Sequence, residues 1–111
     1  MDKDYPEACG RISDIPDVMH EFSALAQAAT RDGALDRKIK ELIALALGVS
    51  AHCDGCIGFH VEALVKLGAS RQEIEVTLGM AAYMGGGTSL MYAADAIAAY
   101  EQFQQGIATV A

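Results

Sequence analysis

The sequence predicts an all-α protein of about five helices. Three observations carry that expectation. No stretch alternates apolar and polar residues with a period of two over a convincing length. Apolar residues recur instead at spacings of three and four, and Pro, Gly and Ser stand where helices start and stop. At 111 residues the chain reads as one domain, residues 1–111, long enough to bury a hydrophobic core.

The first helix is expected from Pro16, a residue suited to the first helical position because its missing N–H would be unpaired there. Val18, Phe22, Leu25 and Ala29 then form a stripe that ends by Gly33. A second helix begins near Asp36 and carries Ile39, Leu42, Ile43, Ala46, Leu47 and Val49. From Leu42 to Val49 it has no polar face, which predicts burial on every side and a central position in the domain or in an oligomer. The third helix starts close to Cys53 and runs through His60, Leu64 and Leu67 to Gly68, a natural residue just past a helix end.

Ser70-Arg71-Gln72-Glu73 reads as a capping box opening the fourth helix, with Ile74, Leu78 and Ala81 facing inward. That helix should stop or kink at Gly85-Gly86-Gly87. A fifth follows, with Leu90, Ala94 and Ile97 on its buried side, and beyond Phe103 the tail from Gln104 to Ala111 is expected to be loosely held.

Hydrophobic residues make up 52% of the chain, aromatic residues only 6%, and Trp is absent. The apolar mass is therefore mostly aliphatic, which suits close helix packing, and its excess in a short chain predicts burial between subunits of a homo-oligomer. The formal net charge of −7, with only eight scattered Lys and Arg, argues against nucleic acid as a partner. The opening Met1-Asp2-Lys3-Asp4-Tyr5-Pro6 lacks a basic segment followed by an apolar run, so no secretory signal is expected. The charge-free stretch between Glu75 and Asp95 is broken by Gly85-Gly86-Gly87-Thr88-Ser89, where a spanning helix would need roughly 20 apolar residues, so no membrane is expected either. The expected location is the cytoplasm. Thiols stay reduced there, and a close cysteine pair serves catalysis or metal binding more often than structural stapling.

Such a pair is present. Cys53-Asp54-Gly55-Cys56 is a Cys-x-x-Cys, and His60 follows after three further residues. At about 100° per residue, Cys53, Cys56 and His60 fall within roughly 60° of one another on a helix. Cys56 and His60 are four apart, so their side chains lie on one face. A thiol near a helix N-terminus has its anion favoured by the unpaired N–H groups there. An imidazole one turn on can take up the proton. The second thiol can capture an oxidised sulfur as a disulfide before it is oxidised further. A carboxylate that orients the imidazole would complete the relay, and Glu41, which enters an otherwise apolar helix just upstream, is the candidate.

Other chemistries share these residues. Cys-x-x-Cys also binds zinc, and His60 and His52 would raise the possible ligands to three or four, although no second Cys-x-x-Cys or His-x-x-x-His is present. Buried cysteines are often inert. Glu41 follows Arg37, Lys38 and Lys40, and so has a second reading as a solvated surface charge. Cys9 lies outside any motif and reads as a free bystander thiol, with resolution of a partner chain's sulfur as the alternative. His20 beside the first apolar stripe reads as a surface or interface residue, and Tyr83 and Tyr92 near the Gly-rich kink as packing or pocket residues.

The full pattern resembles a known family. Glu41, eleven residues, Cys53-x-x-Cys56, three residues and His60 is similar to the signature of AhpD-like alkylhydroperoxidases in the carboxymuconolactone decarboxylase superfamily. Leu64-x-x-Leu67-Gly68-Ala69-Ser70-x-x-Glu73-Ile74 and Ala81-Ala82-Tyr83-Met84-Gly85-Gly86-Gly87 are similar to it as well, so the likeness runs from about Ile15 to Phe103. It implies an AhpD-like helical bundle assembled as trimers or hexamers, and a hydroperoxide substrate. The electron donor it implies is a dithiol, lipoyl- or thioredoxin-like, and no cofactor is implied. By that likeness Cys56 is the attacking thiolate, Cys53 the resolving thiol and His60 the base linked to Glu41. Some members carry a histidine where Gly55 stands here, whereas His52 precedes Cys53. Better-known members contain two copies of the unit, so a neighbouring subunit would supply what the second copy contributes. Lactone decarboxylases of the superfamily lack the cysteine pair. A redox switch, a zinc clip and a non-redox lactone decarboxylase-type enzyme on the same fold are the alternatives.

Overall fold

The computed structural model describes residues 15–110, without the side chains of 107–110. Cys9 therefore lies outside the described residues. Five helices follow in order, α1 (Pro16–Thr30), α2 (Arg37–Ser50), α3 (Asp54–Lys66), α4 (Arg71–Gly85) and α5 (Gly87–Val110), and no strand occurs among the described residues. The chain divides into two compact units, Met1–Arg37 and Lys38–Ala111.

In the first unit, α1 begins with Pro16 at its first turn and Asp17 beside it, a negative charge favourable at the positive end of the helix dipole. The predicted stripe is present but uncovered: Val18, Phe22 and Leu25 are 61 to 63% exposed, and no residue of α1 is buried. His20 is exposed as well. After α1, Asp32 Oδ1 accepts the Arg37 N–H at 2.7 Å, satisfying one of the orphan donors at the start of α2.

The second unit holds the core. Leu45 and Val49 of α2, Ile57, Val61, Leu64 and Val65 of α3, and Ile74, Leu78 and Ala81 of α4 close on Ala93, Ala96 and Tyr100 of α5. Both α3 and α4 pack along α5. Helix α3 ends in a Schellman arrangement: Gly68 at φ +80° donates to Val65, and Ala69 donates to Leu64. Glycine takes that left-handed turn at no steric cost. Two residues on, the capping box forms as expected. Glu73 N–H donates to Ser70 Oγ at 3.0 Å, and Ser70 N–H donates to Glu73 Oε1 at 2.9 Å. Lys38 Nζ reaches Glu73 at 2.9 Å, and Arg71 spans Glu75 and Glu101, tying α4 to α5. Helix α4 ends at Gly85, with Gly86 at φ +82° as the break.

Three expectations are corrected. Helix α2 is not buried on every side: Glu41, Leu45, Gly48 and Val49 are buried, whereas Ile39, Ile43 and Leu47 stay exposed. On α5 the buried side is one position earlier than the large apolar residues suggested. Ser89, Ala93, Ala96 and Tyr100 face inward, while Leu90 is exposed along with Ala94, and of the expected set Ile97 packs partly buried against the core. Small side chains bring α5 close to its neighbours, and that close approach settles the phase rather than side-chain size. Finally, the segment after Phe103 is helical through Val110, and Gln104 Nε2 donates to the Tyr100 hydroxyl at 2.7 Å. No helix among the described residues is long and apolar enough to cross a membrane.

Candidate active site

Backbone hydrogen bonds build the corner between α2 and α3. Ala51, His52 and Cys53 donate their N–H groups to Leu47, Val49 and Gly48, at 2.9, 3.1 and 3.0 Å. This is the same Schellman closure that ends α3. Cys53 then opens the next helix. Its backbone is extended at the N-cap of α3, its Sγ accepts the Cys56 N–H at 3.2 Å, and its carbonyl accepts the Ile57 N–H at 3.0 Å. One residue thus finishes α2 and starts α3, which leaves no slack between the two helices.

Cys53 and Cys56 lie close enough to form a disulfide, with Cα atoms 5.3 Å apart. Both are half-buried. Gly48 lets the pair sit this close to α2, since a Cβ there would meet the Cys56 Cβ at 3.1 Å, tighter than ordinary packing allows. The sulfur at an N-cap lies where the unpaired N–H groups of α3 favour negative charge. Any charge released by opening the disulfide at Cys53 is therefore met by the helix terminus, even with Asp54 in the same turn.

His60 lies one turn beyond Cys56 on α3 and meets Glu41 of α2, His60 Nδ1 lying 2.6 Å from Glu41 Oε1. A carboxylate can only accept, so the contact places the proton on Nδ1 and leaves Nε2 as the basic nitrogen. The Glu41 side chain is 3% exposed and that of His60 22% exposed. Glu41 is therefore buried, and its reading as a solvated charge is set aside. Phe59 packs its edge against the imidazole at 5.5 Å between centroids. The structure thus pairs Cys53 with Cys56 and Glu41 with His60, and the spacing on α3 sets His60 one turn from Cys56.

Two features were not legible beforehand. His52 takes a left-handed backbone, φ +57°, and stacks its ring on Tyr92 of α5. Gly48 was not singled out, although a lone glycine inside an apolar helix is a signal of close approach. Tyr83 is 77% exposed. Among the described residues no group of three or more His, Cys, Asp or Glu side chains is placed to hold a metal ion.

The sequence model of the carboxymuconolactone decarboxylase family matches residues 16–99. The chain belongs to that family. Two solved carboxymuconolactone decarboxylase family proteins share its fold. One, from Legionella pneumophila in its apo form, is 59% identical, covers 88% of each chain and superposes with a TM-score of 0.81. The other, from Thermotoga maritima and described in connection with an antioxidative response, is 32% identical, covers 82% of this chain and 94% of that one, and gives a TM-score of 0.77. An uncharacterised protein of Cupriavidus necator is 40% identical over 86 residues, 78% of this chain and 76% of its own length. The fold of this family member is all-helical among the described residues, and its Cys53–Cys56 pair is close enough to form a disulfide.

Proposed function

We propose that this carboxymuconolactone decarboxylase family member is a thiol-dependent hydroperoxide reductase working in the cytoplasm. The observation that carries the reading is the pairing of a Cys53–Cys56 disulfide with a carboxylate-held imidazole one turn along the same helix. The cycle uses no group beyond these side chains and two reactants. The Cys56 thiolate, its proton taken by His60 Nε2, attacks the terminal oxygen of a hydroperoxide. The O–O bond breaks, an alcohol leaves with that proton, and Cys56 becomes a sulfenic acid. The Cys53 thiol attacks that sulfur, water leaves, and the disulfide forms. A dithiol donor, lipoyl- or thioredoxin-like, then supplies two electrons and two protons and leaves as its own disulfide. Glu41 fixes the His60 tautomer that this requires.

A second order of attack has its own support. Cys53 Sγ accepts the Cys56 N–H at the N-terminus of α3, a position that favours a thiolate on Cys53. Trapping with a sulfenic-acid reagent separates the two. One equivalent of peroxide added to Cys53→Ser should leave a trappable sulfenic acid on Cys56, and Cys56→Ser should give none. The reverse pattern would make Cys53 the attacking residue. A pair of normal turnovers in both single variants would remove the mechanism.

The family member is further proposed to work as a homo-oligomer, a trimer or hexamer. Exposed Ile39, Ile43 and Leu47 on α2 and Val76, Met80, Tyr83 and Met84 on α4 form continuous apolar stripes, which monomers rarely leave in water.

A further inference from the structure

His52 is the one non-glycine with a positive φ among the described residues. It occupies, at the end of α2, the place that Gly68 fills at the end of α3. In each case the left-handed residue donates three residues back and its successor donates five back, as His52 to Val49 with Cys53 to Gly48, and Gly68 to Val65 with Ala69 to Leu64. An L-residue there crowds its own Cβ against the following carbonyl, and glycine would not. A side chain kept at such a position at a functional corner points to a constraint worth its strain. The constraint is visible. The imidazole lies flat on Tyr92, with centroids 4.7 Å apart and planes 11° from parallel. Tyr92 itself packs against the core through α5. His52 is therefore a direct tie between the helix-to-helix corner and α5, and the next residue in the chain is Cys53.

We infer that His52 is a positioning residue for the Cys53–Cys56 couple: its ring, stacked on Tyr92, holds the corner from which Cys53 reaches Cys56. The inference rests on the reading of this pair as a working dithiol–disulfide couple. When a dithiol reduces the pair, the Cys53–Cys56 bond breaks, both sulfurs gain a proton, and the donor closes its own disulfide. Backbone bonds of Cys53 to Gly48 and Ile57 involve no sulfur, so they persist in the reduced form. They fix the corner locally, and core packing of Val49 and Ile57 holds the helices on either side of it. The stack adds a direct contact from the corner residue itself to α5. With it in place the reduced Cys53 stays near Cys56, the effective concentration of the two thiols is high, and the disulfide is favoured. Without it the reduced corner samples more conformations and the disulfide weakens.

The test is the equilibrium constant for disulfide formation against dithiothreitol, read in the purified full chain from the fraction of oxidised protein, with thermal unfolding alongside. No peroxide enters, so its outcome stands apart from whether the protein turns over hydroperoxide. His52→Gly keeps the left-handed corner and removes the ring. His52→Asn also tolerates that backbone, and it serves should the glycine loosen the fold. Both should lower the constant roughly two- to tenfold, the span of a stacked aromatic pair, while the unfolding midpoint holds or rises for the glycine variant. Tyr92→Phe and His52→Phe keep ring on ring and should stay within about twofold of the wild type. Wild-type constants in both His52→Gly and His52→Asn would overturn the proposal, because backbone bonds alone would then hold the corner. A fall in Tyr92→Phe equal to that in His52→Gly would overturn it too, by moving the effect from the ring to the hydroxyl.

Discussion

His60 Nδ1 lies 2.6 Å from Glu41 Oε1, joining the cysteine helix to a carboxylate with 3% of its side chain exposed on the helix before it. Low exposure matters because water cannot screen the contact as it would on the surface. In the proposed cycle the imidazole so held keeps its proton on Nδ1 and uses Nε2 as the base for the thiol one turn back.

Replacing these two residues should separate their roles. General-base catalysis contributes roughly a hundred- to ten-thousandfold, so His60→Asn should lower kcat/KM for an organic hydroperoxide by that order. Glu41→Gln keeps shape and removes charge, and is expected to lower kcat/KM with little change in fold, by up to about ten-thousandfold, because His60 remains but its tautomer is no longer fixed. Steady-state kinetics with circular dichroism of both variants checks this. Equal, full activity in Glu41→Gln would make the contact purely structural.

Gly48 predicts a conflict between helix propensity and packing. Alanine would favour α2 by roughly 0.5–1 kcal/mol over glycine. Its Cβ, however, would stand 3.1 Å from the Cys56 Cβ, and overpacking of that kind costs about 1–3 kcal/mol. Gly48→Ala should therefore be destabilising on balance, and Gly48→Val more so. Chemical denaturation of the oxidised proteins measures both.

The capping box of α4 makes a stability prediction with a pH signature. Removing the cap in Ser70→Ala should cost about 1 kcal/mol. The Ser70 N–H, and after it the Lys38 ammonium, hold the Glu73 carboxyl below its ordinary value of 4.5. A carboxyl with a lowered folded value contributes stability that is present above 4.5 and lost as the pH falls through that lowered value. The gap in unfolding midpoint between wild type and Glu73→Gln should accordingly be open at neutral pH and close in acid. A gap that widened on acidification would contradict the assignment.

The exposed stripes predict a sedimentation result. Wild-type protein should sediment as a trimer or hexamer at micromolar concentration. Leu47→Glu, which puts charge on an exposed apolar face of α2, should shift it towards monomer, because an unpaired charge is costly to bury. A wild-type monomer would remove oligomerisation from the account.

How much of this was legible depended on how local the physics is. The capping box at Ser70 and Glu73, the Gly68 turn and the stop at Gly86 are written in a few adjacent residues, and each formed as read. The phase of α5 was not, because Ser89 and Ala96 are buried for their small size, which a search for large apolar residues passes over. The all-round apolar face of α2 predicts burial in the domain or in an oligomer; within this chain Ile43 and Leu47 remain exposed, because spacing alone does not say which partner covers a face. At the site, Cys56 and His60 share one helix and Cys53 caps it, so their closeness followed from spacing. Glu41 comes from another helix, and its contact depends on packing that spacing cannot express. The left-handed backbone of His52 was the least visible, since glycine is the usual mark of that turn.

The most direct test is steady-state consumption of an organic hydroperoxide by the reduced protein with excess dithiol, run beside Cys56→Ser. The account predicts a robust rate in the wild type that is lost in the variant. Hydroperoxide consumption that continues unchanged in Cys56→Ser, or a wild-type rate no higher than that of the variant, would contradict it.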